Sequence, residues 1–203
     1  MGLNYNYLLY FKREHLWDAL QGVVMFVEKI DPPPTMIQFP DHDLILPITT
    51  GFRDESILHH DMPGFNFAIS LIFEEDEAIL EYMLNNGDVG AHRAPLDVDG
   101  VERVAIGFIY LTVYADLSKH FAFKKPTDLV LYKFGTTGTY MSLLFNESIS
   151  IRKTFSKLLE KYQGICGIFD REIDSGELFW LNGQQLSEDI RDVYMPPMKS
   201  WKC

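Results

Sequence analysis

The sequence predicts an α+β fold, in which helices pack on a mainly antiparallel sheet. Aromatic residues make up 14% of the chain, and their rings pack well on the half-buried surface of a sheet. The segment 65–73 (FNFAISLIF) repeats with the period of a strand and places five apolar side chains on one face. Turn residues such as 40–43 (PDHD) separate short apolar runs, and hairpins of this kind pair their strands antiparallel.

The first fifty residues predict the order strand, helix, strand, strand. Residues 5–11 (YNYLLYF) are typical of a strand, and the apolar spacing across 16–27 describes one face of a helix. The prolines at 32–34 end that helix, because proline lacks an N–H donor and restricts the residue before it. Two short strands at 35–39 and 44–48 follow.

The middle of the chain predicts a strand, a short helix and a long strand. The strand 65–73 leads into a helix over 74–87, whose acidic first turn suits the positive end of the helix dipole. Asn86 and Gly87 suit the C-terminal end of this helix. Residues 101–115 form the most strand-like segment of the chain, and its apolar part is shorter than the about 20 residues needed to span a bilayer.

The last third predicts two strands, a helix, a hairpin and a tail. These elements are expected at 128–134, 139–145, 149–162 and 164–181, with a tail over 184–203. Residues 135–138 (GTTG) are interpreted as a hairpin turn and not as a phosphate-binding loop, because a second strand is predicted to follow them. Asn146 or Ser148 is expected to cap the helix. One turn of helix is predicted at 187–194 (SEDIRDVY).

The two ends of the chain share a pattern at an offset of 135 residues, where Leu8–Leu9 coincides with Leu143–Leu144. Two helical apolar faces coincide as well: Leu16, Leu20, Val23, Val24 and Val27 against Ile151, Phe155, Leu158, Leu159 and Tyr162. The match indicates either a duplication or the independent use of one plan.

The chain is predicted to be a single α+β domain over 1–203, because no linker-like stretch interrupts it. Within it we expect two pseudo-equivalent β-α-β-β halves, 1–87 and 101–183, followed by the C-terminal tail at 184–203. An edge of the sheet would allow a homodimer, although no residue pattern identifies that edge.

Composition limits the classes of partner. The net charge of −11 disfavours binding to nucleic acid or to an anionic membrane surface, and it attracts basic proteins. We expect no leader sequence, because no basic stretch precedes an apolar one near the N-terminus. Cys166 lies in an apolar run and is predicted to be a core thiol, and two cysteines do not make a disulfide framework. The expected location is therefore the cytoplasm.

One segment, DESILHHD, collects side chains that can bind metals or transfer protons: Asp54, Glu55, His59, His60 and Asp61. If the segment is helical, Glu55 and His59 share a face at positions i and i+4, a spacing that can chelate a divalent ion. Glu55, His59 and Asp61 are therefore candidate metal ligands, and the same three with His60 are candidate catalytic residues. The other interpretation is a solvated loop, because no strict metal motif is present.

We therefore expect a non-catalytic cytoplasmic protein without a cofactor. It would bind a basic protein partner or a small ligand through an acidic, aromatic-rich surface. The acidic run 74–77 (EEDE) and the loop 51–64 are candidate parts of that surface. The alternative is a metal-dependent or acid/base hydrolase that uses the 54–61 segment.

Overall fold

The computed structural model of the chain describes residues 3–28, 34–50, 56–86, 91–95, 100–119, 128–171 and 176–193. These residues adopt the predicted α+β fold, with four α-helices and eleven strands. The helices are α1 (Leu16–Val24), α2 (Glu77–Asn86), α3 (Thr139–Glu147) and α4 (Ile149–Lys161). The strands are β1 (Asn6–Lys12), β2 (Thr35–Gln38), β3 (Asp43–Leu46), β4 (Ile57–His59), β5 (Gly64–Glu74), β6 (His92–Arg93), β7 (Arg103–Tyr114), β8 (Leu129–Gly135), β9 (Cys166–Asp170), β10 (Gly176–Leu181) and β11 (Gln184–Val193).

Eight of these strands form one antiparallel sheet. Its order is β11-β10-β9-β1-β8-β7-β5, and β6 also pairs with β7. A second sheet has the order β3-β2-β4, in which β2 and β4 run parallel. All other strand pairs in the described residues are antiparallel, so the prediction of a mainly antiparallel sheet is confirmed.

The N-terminal strand lies inside the large sheet. β1 pairs with β8 on one side and with β9 on the other, so that Asn6 lies opposite both Gly135 and Asp170. Because both neighbours are antiparallel to β1, β8 and β9 run parallel to each other. The helices α3 and α4 connect them, which makes a split β-α-β unit with β1 inserted between its two strands.

Phe155 of α4 is the centre of an aromatic cluster between the helices and the large sheet. Its ring centroid lies 4.5 Å from that of Tyr7 on β1 and 4.7 Å from that of Phe134 on β8. Phe73 of β5 and Phe145 of α3 contact the same ring from further away. A single side chain therefore joins two helices to three strands.

The opposite face of the large sheet is only partly covered. Around β1, β8 and β9 it carries a second apolar cluster, which includes Tyr10, Leu131 and Ile168. Further along the sheet, β7 presents Phe108 and Tyr110, which are 51% and 40% exposed. This face is therefore apolar and closed towards β9, and open to solvent towards β7.

The segment 139–145 was expected to be a strand, and this prediction is wrong because the segment lies in α3. Its buried residues, Met141, Ser142, Leu144 and Phe145, follow helical spacing. The turn at 135–138 therefore joins a strand to a helix and does not close a hairpin.

The segment from 187 was expected to form a turn of helix, and it forms part of β11 instead. β11 pairs antiparallel with β10 as the edge of the large sheet, so residues 184–193 of the predicted tail belong to the sheet. The remaining tail residues, 194–203, lie outside the described residues. The predicted hairpin of β9 and β10 is confirmed, and its turn lies partly outside the described residues.

The equivalence of the two β-α-β-β halves is not confirmed. The leucines that coincide in sequence lie on different elements, Leu8–Leu9 on β1 and Leu143–Leu144 on α3. The strands that follow the helices also differ, because β2 and β3 belong to the small sheet and β9 and β10 to the large one. The two apolar helical faces do share one core, since α1 packs against α4.

The described helices are short. The longest of them, α4, has 13 residues, whereas about 20 apolar residues are needed to cross a bilayer. None of the helices in the described residues is both long and apolar enough to cross a membrane.

Phe155→Ala is expected to lower the free energy of unfolding by about 4 kcal/mol, because it leaves a cavity where four rings meet. Urea unfolding followed by circular dichroism measures the change. The control is Leu84→Ala on α2, whose side chain is 81% exposed and should cost far less. Equal losses in the two variants would contradict the central role of Phe155.

Stability is expected to fall at alkaline pH. Burial raises the pKa of Tyr7, Tyr10 and Tyr132, and it raises the pKa of Cys166 to about 12. In the unfolded chain the thiol ionises near pH 8.5 and the phenols near pH 10, at about their reference values. Above about pH 9 the unfolded state therefore loses protons that the folded state keeps, and unfolding becomes more favourable as pH rises.

Urea unfolding at a series of pH values from neutral to strongly alkaline measures this dependence. The variant Tyr132→Phe should flatten it, because one buried phenol is removed. Tyr140→Phe is the control, since Tyr140 is 68% exposed and its removal should leave the slope unchanged. A free energy of unfolding that stays constant over the whole series would contradict the prediction.

Candidate functional site

The five candidate residues of the predicted metal or hydrolase site are only partly described. Asp54 and Glu55 lie outside the described residues. His59 ends β4 with an exposed side chain, His60 is half-buried, and Asp61 is exposed in the turn that follows. Because His59 lies on a strand, the helical spacing assumed for Glu55 and His59 does not apply to it.

His60 belongs to an aromatic stack that the sequence did not predict. The ring of Phe39 stacks on His42 at 4.5 Å and on His60 at 5.1 Å between centroids. Nδ1 of His60 lies 3.1 Å from the carbonyl oxygen of Gln38. A hydrogen bond with His42 lowers the pKa of the exposed Asp41 carboxyl. These contacts orient His60 towards the small sheet.

Within the part of the chain that the structure describes, no three His, Cys, Asp or Glu side chains are grouped so that they could hold a metal ion. The proposed ligand set includes Glu55, which lies outside that part. The metal site at Glu55, His59 and Asp61, and the hydrolase activity that would use it, therefore stay predictions. No contact of the described residues favours them.

A groove of about 550 Å³ runs between α2 and α3. From α2 it is lined by Ala78, Glu81, Tyr82, Asn85 and Asn86. From α3 it is lined by Tyr140, Leu143, Leu144 and Glu147. The α3 residues occupy positions i, i+3, i+4 and i+7, which form one stripe along a helix. We call this feature the α2–α3 groove.

Asp76 holds α2 in place beside α3 and α4. One carboxylate oxygen accepts the N–H of Ile79 at 2.9 Å, which caps the first turn of α2. The other oxygen accepts from the hydroxyl of Ser148 at 2.8 Å and from the N–H of Ser150 at 2.9 Å. Ser148 also caps α4, as predicted, by accepting the N–H of Ile151. One carboxylate thus ties the start of α2 to the corner between α3 and α4.

The base of the groove is apolar and its rim is acidic. Tyr82 and Leu144 are buried in the base, where the phenol of Tyr82 donates a hydrogen bond to the carbonyl oxygen of Ile106. Burial raises the pKa of Tyr82, so this hydroxyl stays protonated at neutral pH. Glu81 and Glu147 are exposed on opposite sides, and neither forms an ion pair with a described residue.

The acidic run that precedes α2 is already paired inside the molecule. Glu74 lies 3.2 Å from the ammonium group of Lys157, and this hydrogen bond lowers the pKa of the carboxyl. Glu75 pairs with Arg93, and Asp76 binds the serines described above. Glu74 and Glu75 are therefore neutralised by cations, whereas the carboxylates at the rim of the groove are not.

Comparison with known proteins adds no identification. No family model, curated protein or solved structure matches this chain. The function is therefore inferred from the geometry of the chain itself.

The groove is not predicted from the sequence, because the pattern of the α3 segment predicts a strand. The signal was nevertheless present in Tyr140, Leu143, Leu144 and Glu147, whose spacing is helical. The same spacing joins Ala78, Glu81, Tyr82 and Asn85 on α2. Two helices with facing stripes would have indicated a groove, had the second helix been recognised.

Asp76→Ala is expected to lower the free energy of unfolding by about 2 kcal/mol, because it removes a helix cap and the acceptor for two further donors. Chemical denaturation measures the loss. Glu77→Ala is the matched control, since Glu77 is exposed on the same turn and forms no ion pair with a described residue. If both variants were equally stable, Asp76 would not hold the helices together.

Proposed function

We propose that this chain is a non-catalytic binding protein whose α2–α3 groove receives a basic amphipathic helix from a protein partner. The observation that carries the proposal is the groove itself, which combines two exposed apolar side chains with rim carboxylates that form no ion pair with a described residue. Tyr140 and Leu143 are 68% and 37% exposed in it. Exposed apolar side chains in a concave, polar-rimmed surface are typical of protein interaction sites.

Charge favours a basic partner. The groove is lined by Glu81 and Glu147 and by no lysine or arginine among the described residues. The whole chain carries a net charge of −11, so a positively charged segment is attracted before contact is made. Carboxylates at the rim would orient the partner and raise its association rate, and they would contribute less to the affinity.

Shape favours a helix. Residues of two adjacent helices line the groove, and an amphipathic helix binds such a surface through apolar residues at i, i+3, i+4 and i+7. Leu143 and Tyr140 would contact those residues, while lysine or arginine beside them would reach Glu81 and Glu147. We propose a cytoplasmic location for this interaction, because the chain keeps Cys166 as a buried free thiol.

The test uses a synthetic helical peptide that has leucine at i, i+3, i+4 and i+7 and lysine at the other positions. Fluorescence anisotropy of the labelled peptide measures its binding to the purified protein at low and high salt. We expect micromolar affinity that weakens as salt rises, because exposed charges are screened. A second peptide with glutamate in place of lysine should not bind.

Two pairs of variants locate the contact. Leu143→Asp should weaken binding about tenfold or more, whereas Leu84→Asp, on the side of α2 away from the groove, should not. The double variant Glu81→Gln and Glu147→Gln should weaken binding at low salt. Its control is the double variant Glu160→Gln and Glu188→Gln. This variant removes two exposed carboxylates outside the groove and changes the net charge by the same amount. Equal effects within either pair would overturn the proposal.

A further inference from the structure

A second concave feature lies on the open face of the large sheet. It has a volume of about 230 Å³ and is lined by side chains from β1, β7 and β8. Its polar groups include Asn6, Thr112 and Lys133, and Tyr110 forms one wall. We call it the Lys133 pocket. It is separate from the α2–α3 groove, because the two share no lining residue.

The pairing of three strands builds this pocket. Gly135 of β8 lies opposite Asn6 of β1 and opposite Tyr110 of β7. Two residues earlier on β8, Lys133 lies opposite Thr112 of β7. Residues directly opposite each other in a sheet point to the same face, so these side chains converge. The two rows lie about 7 Å apart along the strands.

Lys133 brings an uncompensated positive charge into the pocket. The residue is half-buried, and it forms no ion pair with any described residue. This is unusual in a chain with net charge −11, where other cations such as Lys157 and Arg152 pair with carboxylates. A partly desolvated ammonium group without a partner favours the binding of an anion.

Asn6 supplies a buried hydrogen-bond acceptor beside this charge. The residue is 1% exposed, and its amide nitrogen donates to the carboxylate of Asp170 and to the carbonyl oxygen of Asn4. These two acceptors orient the amide, so Oδ1 is the remaining atom, and it has no hydrogen-bond partner. An unpaired buried acceptor of this kind costs free energy until a donor reaches it.

Gly135 leaves room next to that acceptor. A Cβ at this position would stand 3.0 Å from Oδ1 of Asn6, and outside Gly135 and its two neighbours in the chain the only other described heavy atom within 4 Å is the carbonyl oxygen of Tyr110. The absent side chain therefore opens a notch between Asn6 and Tyr110, which flank Gly135 in the same row. A hydroxyl or amino group in this notch would approach Oδ1 as a donor.

We infer that the Lys133 pocket binds a small carboxylate that carries a hydroxyl or amino group beside its carboxyl carbon. The carboxylate pairs with Lys133, and the neighbouring O–H or N–H donates to Oδ1 of Asn6 over Gly135. An aromatic substituent on the ligand would pack against Tyr110 and Phe108, which are exposed on the same face. The pocket volume suits a ligand of this size.

The experiment compares two acids that differ by one hydroxyl group, phenyllactate and 3-phenylpropionate. Ligand-observed NMR titration against the full chain measures both affinities. We expect millimolar binding of phenyllactate and about tenfold weaker binding of 3-phenylpropionate, because only the hydroxy acid can donate to Asn6. Equal affinities would show that the pocket binds anions without recognising the hydroxyl group, and this result would overturn the inference.

Variants test the position of the ligand. Lys133→Met should abolish binding, and Gly135→Ala should do the same by filling the notch. The control is Lys161→Met, which removes an exposed cation of α4 outside the pocket. Unfolding curves of all three variants verify that they are folded, and Lys133→Met should still bind the leucine–lysine peptide.

Retained binding in Lys133→Met or Gly135→Ala would place the ligand elsewhere and overturn the inference. Failure of both acids to bind at millimolar concentration would overturn it as well. Neither result affects the α2–α3 groove, because the peptide titration reads out that site independently.

Discussion

The packing of Phe155 under the large sheet is the interaction on which the other features depend. Its ring contacts Tyr7 of β1 and Phe134 of β8, so these two residues must point towards the helices. Since successive side chains of a strand alternate, Asn6 and Lys133 must then point to the opposite face. The same ring contacts Phe145 and thereby holds α3 at the place where it borders the groove. One aromatic cluster therefore sets the geometry of both candidate binding sites.

Both sites contain charged or polar groups that have no partner among the described residues of the protein. At the α2–α3 groove these are the carboxylates of Glu81 and Glu147, while the nearby Glu74 and Glu75 are paired with cations. At the Lys133 pocket they are one ammonium group and one amide oxygen. Most described lysines and arginines of this chain pair with carboxylates, so Lys133, which lines a cavity and has no such pair with a described residue, is available for a ligand. The two sites carry opposite charge and would select different partners.

The sequence predicts most of the architecture because its strands are long and periodic. The segment 65–73 alternates with the period of a strand, 101–115 is rich in strand-forming residues, and the hairpin of β9 and β10 has a clear turn signal, so these elements are predicted at nearly the right residues. The prediction of a strand at 139–145 is wrong because threonine, tyrosine and phenylalanine favour strands, and a run of seven residues is too short to distinguish the two periods. The groove could not be predicted without that helix.

The remaining features depend on contacts between distant parts of the chain. Asp76 could be recognised as the acidic start of a helix, but its bonds to Ser148 and Ser150 cross more than 70 residues. Likewise, Asn6, Lys133 and Tyr110 become neighbours only through the register of β1, β8 and β7. Local patterns carry no information on register, which the whole core decides.

The inserted position of β1 has a consequence for biosynthesis. Among the described residues β1 pairs with β8 and β9, both of which are synthesised after it, and β8 begins only at Leu129. At a translation rate of about 5–20 residues per second, roughly ten seconds pass between the synthesis of β1 and the synthesis of β8. During that interval the nascent chain exposes Leu9 and Phe11, which are fully buried in the finished fold. The large sheet therefore cannot form around β1 until β8 and β9 have been made, and until then the apolar side chains of β1 are exposed to aggregation.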